Sequence, residues 1–386
     1  MNNLGKIVVV GASMAGLRAA EALRSEGFAG SLVIIGDELH PPYDRPPLSK
    51  ELLLRQVQEP DITLSFAEEI DAEWMVGHAA VGLNADARVV TLADGRSVDF
   101  DGLVIATGSA PRRLRGVEPD GDSVFQLRKL DDSLSLRAKL ETGSRLLIVG
   151  CGFIGVEVAS RARQLGLHVS MVSRGMPLAV AGDLVTGVVT TMLHAADVDL
   201  HFGHTIVAHG VEGGAHQVTL DDGSTITADV VLVAIGAVPE IGWLADSGLQ
   251  LGDGVLCDAT LHAAPNVVAA GDIANWPNPK FAGLPMRVEH WANATEQGRA
   301  AARALLRGPD AQSFGSVPSF WSDHFGVRLQ SIGVLSLADE FRVSDGDPAE
   351  GRFAAGAYRD GQLVGAIAYA MPRALLKHHG ALSAGT

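Results

Sequence analysis

Two stretches of this 386-residue chain hold residues spaced to grip phosphate. In the stronger one, Gly150, Gly152 and Gly155 follow the spacing G-x-G-x-x-G, with Phe153 and Ile154 between the last two. Each glycine has a physical task. Gly150 makes a tight turn, Gly152 lets backbone approach a pyrophosphate, and Gly155 lets a helix pack closely on a strand. Free N–H groups at a helix start then favour phosphate charge. In the other stretch Gly11 and Gly16 take the first and third positions. Ser13 stands at the second, with Met14 and Ala15 after it, so this copy is degenerate. Two dinucleotide sites in one chain imply two cofactors that exchange a hydride.

Other residues extend this chemistry. Asp37 closes the apolar run 32–36, where an acid grips a ribose hydroxyl; a turn residue or helix cap is the plainer alternative. Lys50 ends the proline-stiffened stretch 41–50, which can hold a cation at a fixed point; a solvated surface lysine is the alternative there. Glu157 lies two residues past Gly155, where the helix dipole alone would favour an acid. Asp272 follows Gly271 at the end of the apolar run 267–270, with a helix-start acid as its alternative.

The elements that must position these groups repeat. An apolar run precedes each glycine turn and a helical stretch follows it. Asp94-Gly95 and Asp222-Gly223 mark hairpins. Each hairpin leads to an apolar strand ending in glycine: residues 103–108, with Ala106, Thr107 and Gly108, and residues 231–236, with Ile235 and Gly236. The order fingerprint, hairpin, apolar strand therefore occurs twice. A helix is expected over about 289–306. Alternation in 328–334 and 362–367, with the Asp360-Gly361 turn, predicts an antiparallel sheet at the end.

The bulk numbers fit a compact protein of two or three domains, with 47% hydrophobic and 19% charged residues. A net charge of −15 argues against general nucleic-acid binding. Cys151 and Cys257 form no C-x-x-C, so no disulfide framework is implied. The start reads as no signal peptide, and no apolar run has bilayer length. The expectation is a cytoplasmic protein with no membrane partner. Histidines 194, 201, 204, 209 and 216 cluster in sequence. No acid or cysteine completes a ligand set at recognisable spacing, so solvated histidines and no metal are expected.

The stretches Arg45-Pro46-Pro47-Leu48-Ser49-Lys50, Ala106-Thr107-Gly108 and residues 127–132 resemble the FAD-dependent ferredoxin reductases that serve bacterial oxygenases. Residues 243–248, 270–272, 288–297 and 320–323 join the resemblance, which covers nearly the whole chain. It implies an α/β protein, α+β overall. Two Rossmann-like domains of the glutathione-reductase type would be followed by a small C-terminal α+β domain. The FAD domain would span 1–113 and 240–316, the NAD(P) domain 114–239 and the last domain 317–386. NAD(P)H would give a hydride to FAD, which would pass single electrons to a [2Fe–2S] ferredoxin.

The resemblance also implies site roles. Lys50 would sit near flavin N5 with Glu157 as its partner, the cation stabilising the flavin when reduced. Met14, Arg45, Ala80 and Arg128 would contact FAD, and Asp272 its ribityl chain. Glu289 and His290 would contact a cofactor, and Trp291 and Trp321 would lie by the isoalloxazine. In the family the second strand of the NAD domain ends in an acid. Here Ser173 and Arg174 stand there, so NADPH should be accepted, with a small preference for it. Arg299, Arg303 and Arg307 line one helix face, and Arg299, near the flavin edge with Trp321, would help steer an acidic iron–sulfur protein; a solvated face is the alternative. A monomer or weak dimer is expected. Rival readings are a disulfide reductase, for which no cysteine is placed, an NAD(P)H oxidase, and a flavin-based redox sensor.

Overall fold

The computed structural model describes residues 4–65, 70–140 and 145–383. It opens with β1 (Lys6–Val10), α1 (Met14–Ser25), β2 (Ser31–Gly36), β3 (Glu73–Val76) and β4 (Gly102–Ile105). β1 lies between β2 and β4 in parallel register, and β3 extends the sheet beyond β2. Ile7 and Val9 pack towards Leu17, Ala20 and Leu23 of α1. Val8 and Val10 pack on the opposite face, against Leu83, Val90 and Leu92 of an antiparallel meander. A parallel strand covered on both faces must be apolar throughout, and all four are fully buried. The Asp94-Gly95 turn closes the second hairpin of that meander.

The second unit repeats this plan. It contains β5 (Arg145–Val149), α2 (Phe153–Gln164), β6 (His168–Ser173), β7 (Asp199–Phe202) and β8 (Val230–Val233). β5 is central again, between β6 and β8, and all pairings are parallel. Leu146 and Ile148 face Val156 and Ala159 of α2. Leu147 and Val149 face Val218, Leu220 and Ile226 of the hairpin that Asp222-Gly223 turns. Where the chain crosses between the units it runs twice, out through Ser109–Pro111 and back through Ala237–Pro239. These two crossings pair with each other antiparallel.

Returning, the chain adds β9 (Val267–Ala269) to the first sheet beside β4. It then forms α3 (Trp291–Arg307), which packs on α1. α3 starts two residues later than the sequence predicts. His290 is its N-cap, in extended conformation, and Glu289 precedes it, engaged by Arg287 at 2.5 Å.

The last unit is an antiparallel sheet of β10 (Ser319–His324), β11 (Val327–Gly333), β12 (Glu340–Asp347), β13 (Arg352–Arg359) and β14 (Gln362–Tyr369), in the order β10-β11-β14-β13-β12. Leu329, Phe353, Ile367 and Tyr369 on one face join the core of the second unit. Among the described residues no helix is long and apolar enough to cross a membrane.

The histidine expectation needs correction. His216 is buried rather than solvated, because the alternation of its strand puts it on the core face with Val218 and Leu220. It stacks on His209, and their ring nitrogens lie 2.9 Å apart. His201 pairs with Asp199. His204 meets Asp221 and Asp222 at ligand-like separation, a grouping that only the cross-strand fold brings about.

Candidate active site

The two glycine turns explain their own sequence. Gly11 and Gly150 have φ of 117° and 107°, where a side chain is strained. A Cβ on Gly11 would stand 2.1 Å from the carbonyl oxygen of Ala106; on Gly150, 2.3 Å from that of Ala234. Gly16 and Gly155 likewise lie against the backbone of Gly11 and Gly150. The second position differs, since a Cβ on Gly152 would meet nothing within 4 Å. That openness explains how the first copy carries Ser13, whose hydroxyl accepts a hydrogen bond from Arg45 Nε at 3.3 Å.

From the Gly11 turn a continuous cleft runs along the carboxyl ends of the first sheet. Its outer part encloses about 690 Å3 and is lined by Asp37, Ala80 and Gly11 among others. Its inner part, about 410 Å3, is lined by Met14, Ala15, Lys50, Glu157, Trp291 and Trp321. Ser13, Tyr43, Arg45, Ala106, Thr107 and Arg128 line both parts. Two arginines therefore stand at the middle. Arg45 donates to Glu38 at 2.6 Å and to the Arg128 carbonyl at 2.5 Å. Arg128 pairs with Asp272 at 2.8 Å, and Ser109 donates to the same carboxylate oxygen at 3.1 Å. Gly108, Phe153, Ile154, Gly271, Glu289 and His290 complete the inner lining that the sequence named. Asp37 reaches the outer part, but its carboxylate is paired with Lys129 at 2.5 Å, a residue the sequence reading gave no role.

The inner end holds a buried ion pair. Lys50 Nζ lies 2.8 Å from Glu157 Oε1, with side chains 7% and 2% exposed. Lys50 is thus no surface lysine. The loop before it is anchored by Tyr43, Leu48 and Leu52 in an apolar cluster, by Tyr43 donating to Glu38, and by Ser133 donating to the Leu48 carbonyl. Burial pushes the Tyr43 phenol far up, so it stays a neutral donor. Glu157 accepts further hydrogen bonds from Ser49 at 2.5 Å and from Ser322. Ser322 Oγ also lies 2.8 Å from His324 Nε2. The charge site draws on all three units. Ser49, Ser322 and His324 had no assigned role in the sequence reading. The usable signal was the two-residue period of β10, which sets Phe320, Ser322 and His324 on one face.

Around the start of α3, His290 Nδ1, Asn293 Oδ1, Thr295 Oγ1 and Gln297 Nε2 are buried without a partner among the described residues. Burial brings the His290 imidazole down to about 4, so it is neutral at ordinary pH. Trp291 donates to Asp44 at 2.8 Å and meets Trp321 edge-on at 6.2 Å. Cys257 is inert, its thiol pushed up to about 12 by burial, and Cys151 sits in the second glycine turn, its thiol also raised by burial. Neither lines the cleft.

At the second sheet, Ser173 ends β6, and Gly150, Gly152, Arg174, Ile235 and Gly236 lie beyond the carboxyl ends of β5, β6 and β8. Ser173 Oγ accepts from Gly175 N–H at 3.3 Å. Arg174 is exposed and has no partner among the described residues.

Residues 5–298 match the pyridine nucleotide-disulphide oxidoreductase family, and residues 319–386 the family described as reductase C-terminal. The ferredoxin–NAD(+) reductase component of a p-cumate 2,3-dioxygenase system from Pseudomonas putida is 36% identical over 89% of this chain and 85% of its own. A ferredoxin–NAD(P)(+) reductase from a Sphingomonas species is 35% identical over 93% and 88%. The crystal structure of a covalent putidaredoxin reductase–putidaredoxin complex superposes with a TM-score of 0.91 at 27% identity, over 98% and 93% of the two chains.

Proposed function

The chain belongs to the pyridine nucleotide-disulphide oxidoreductase family, and from that premise we propose that it is an NAD(P)H-dependent ferredoxin reductase with FAD as its resident cofactor. The observation that carries this reading is the buried Lys50–Glu157 pair at the end of a dinucleotide-sized cleft that no thiol enters. A disulfide reductase needs a cysteine there.

The residues fit FAD. The Gly11 turn and the start of α1 make a phosphate cradle, with Arg45 and Arg128 at mid-cleft for a pyrophosphate. His290 Nδ1 is an orphaned polar atom on a residue of the inner wall. FAD supplies acceptance of a hydride from NAD(P)H and release of single electrons. The chain binds, orients and shields. Lys50 uses N–H bonds on Glu157 and on the Pro46 carbonyl at 3.3 Å, leaving one for the occupant of the cleft. Trp291 and Trp321 wall the inner part.

For the nicotinamide cofactor, the neutral Ser173 followed by an exposed Arg174, unpaired among the described residues, supports use of NADPH, with a small preference for it. The relatives' names include both NAD(+) and NAD(P)(+). The electron acceptor in this reading is an acidic [2Fe–2S] ferredoxin, steered by exposed Arg299, Arg303 and Arg307 on α3. Arg303 is partly neutralised by Glu26 at 2.6 Å, which leaves Arg299 and Arg307 as the main charges. Residence in the cytoplasm, where NAD(P)H is held, and a monomer or weak dimer complete the proposal.

The test is a visible spectrum of the purified chain, then NAD(P)H titration with [2Fe–2S] ferredoxins. Flavin bands, bleaching by NAD(P)H and ferredoxin-dependent reduction of cytochrome c are expected. A colourless chain that takes up no FAD would overturn the reading. So would rapid turnover with oxygen alone, or a long-lived reduced complex that passes electrons to no ferredoxin.

A further inference from the structure

Glu157 carries more hydrogen bonding than its pairing with Lys50 accounts for, and the extra arm comes from the C-terminal sheet. A carboxylate only accepts, so the Ser322 hydroxyl must donate to Glu157. Its single proton is then committed, and the contact between Ser322 Oγ and His324 Nε2 has to be N–H donating to oxygen. That fixes the tautomer: the proton sits on Nε2, and Nδ1 is a bare lone pair. Nδ1 is indeed buried without a partner among the described residues. A bare acceptor tolerates that position better than an N–H with nowhere to donate. The ring is wholly buried and stacks on Tyr369, at 6.4 Å and 24° between planes, so it has no second orientation to offer solvent. Burial, then Lys50, hold its imidazole down to about 4, so it remains neutral.

We propose that Ser322 and His324 are positioning residues of the Lys50–Glu157 site: His324 polarises and aims the Ser322 hydroxyl, which holds Glu157 in place from the C-terminal unit. Glu157 stands just past the first turn of α2, close to the second glycine turn, while Lys50 and Ser49 belong to the first unit. The relay therefore ties the nucleotide-facing helix to the inner cleft from a third direction. Phe325, the residue after that strand, donates its N–H to Ser160 Oγ at 2.7 Å, about one helical turn further along α2. Because Oε1 receives both Lys50 and Ser322, it keeps a donor whichever way the Lys50 ammonium swings.

This inference rests on the assignment of Lys50 and Glu157 to hydride transfer, and the experiment separates the two. Stopped-flow reduction of the bound flavin by NAD(P)H is measured for Ser322→Ala, His324→Leu, His324→Gln and Lys50→Ala. The losing variants should drop the limiting rate about tenfold, the scale of one hydrogen bond to a charged group, with the apparent nucleotide Kd within about twofold. His324→Gln, which can still donate to Ser322, should recover to within about threefold of the parent. Nitrogen-15 NMR of the histidines, with the His324 signal assigned by its loss in His324→Gln, should show a neutral Nε2–H tautomer. Parent-like rates in Ser322→Ala and His324→Leu, with Lys50→Ala slow, would overturn the relay alone. Parent-like rates in all four would overturn the Lys50–Glu157 assignment too. A His324→Gln variant as slow as His324→Leu, or an Nδ1–H or doubly protonated ring, would refute the donor argument whatever the rates. A variant that fails to fold leaves the NMR result on the parent to decide.

Discussion

Replacing Lys50 with methionine isolates the buried charge. Methionine keeps most of the side-chain length and volume, so cavity formation contributes little. What changes is that Glu157, 2% exposed, loses the Lys50 cation and keeps the hydroxyls of Ser49 and Ser322. Breaking a buried pair by removing one partner costs about 3–5 kcal/mol. The two hydroxyls donate before and after, which favours the lower end, about 3 kcal/mol. For a cooperative unit of ordinary domain size this lowers Tm by about 6–12 °C. The measurement is thermal unfolding of the cofactor-free chain, so that lost flavin affinity cannot mimic the effect. A second substitution, Glu157→Gln, removes the stranded charge and should restore more than half of the lost stability. The reasoning fails if Lys50→Met melts within about 1 °C of the parent, or if the double variant melts below the single one.

Gly150→Ala and Gly152→Ala should part company: the first collides with the Ala234 carbonyl and should cripple folding, while the second should melt like the parent and raise KM for NAD(P)H. Equal behaviour of the two would sink the phosphate-approach argument. Ser173→Glu should push kcat/KM towards NADH; a parent NADH preference above about a hundredfold, roughly 2.7 kcal/mol, would mean that Arg174 does not reach the 2′ position. Ferredoxin-dependent cytochrome c reduction should fall with added salt and with Arg299→Glu, and insensitivity to both would count against steering by α3. Acid should destabilise the fold through His290 and His324. Both are held at about 4 when folded against 6.5 in the free side chain, so the unfolded chain binds more protons between these values. Stability present above pH 6.5 is then lost as pH falls to about 4, on the order of 3 kcal/mol for each histidine, which denaturant titrations at stepped pH would detect or deny.

The parts of this molecule legible in the sequence are those fixed by neighbours along the chain. Glycine spacing around Gly11 and Gly150 sets its own turn geometry, and the Asp94-Gly95, Asp222-Gly223 and Asp360-Gly361 turns set their own hairpins. The duplicated plan followed from those local signals. What escaped depends on contacts between distant segments. Ser322 meets Glu157 across 165 positions, and Lys129 meets Asp37 across 92. No period or spacing encodes either distance. His216 lies in a polar stretch, where a histidine looks solvated until the strand partner fixes which face it shows. The helix start at Trp291 was misjudged by two residues because Glu289 and His290 suit a first turn, yet the chain stays extended through the cap.

The paired crossings at Ser109–Pro111 and Ala237–Pro239 make the second unit a cassette. Its entrance and exit are side by side, so the first sheet closes over the junction whether 120-odd residues or some other length are threaded between them. Flanking bonds seal the neck on both sides: Glu240 N–H to the Gly108 carbonyl at 3.0 Å, and Arg112 N–H to the Gly236 carbonyl at 2.9 Å. A nucleotide-binding unit from a relative, with an acid in place of Ser173, can be spliced at this neck by cutting only these two strands. The Gly11 turn, Arg45, Lys50 and the start of α3 lie on the retained side, while Arg128, Phe153 and Ile154 of the cleft lining travel with the insert. The glutamate and the surface that Ser322 grips travel with the insert, so a graft succeeds only when it brings a carboxylate to that hydroxyl.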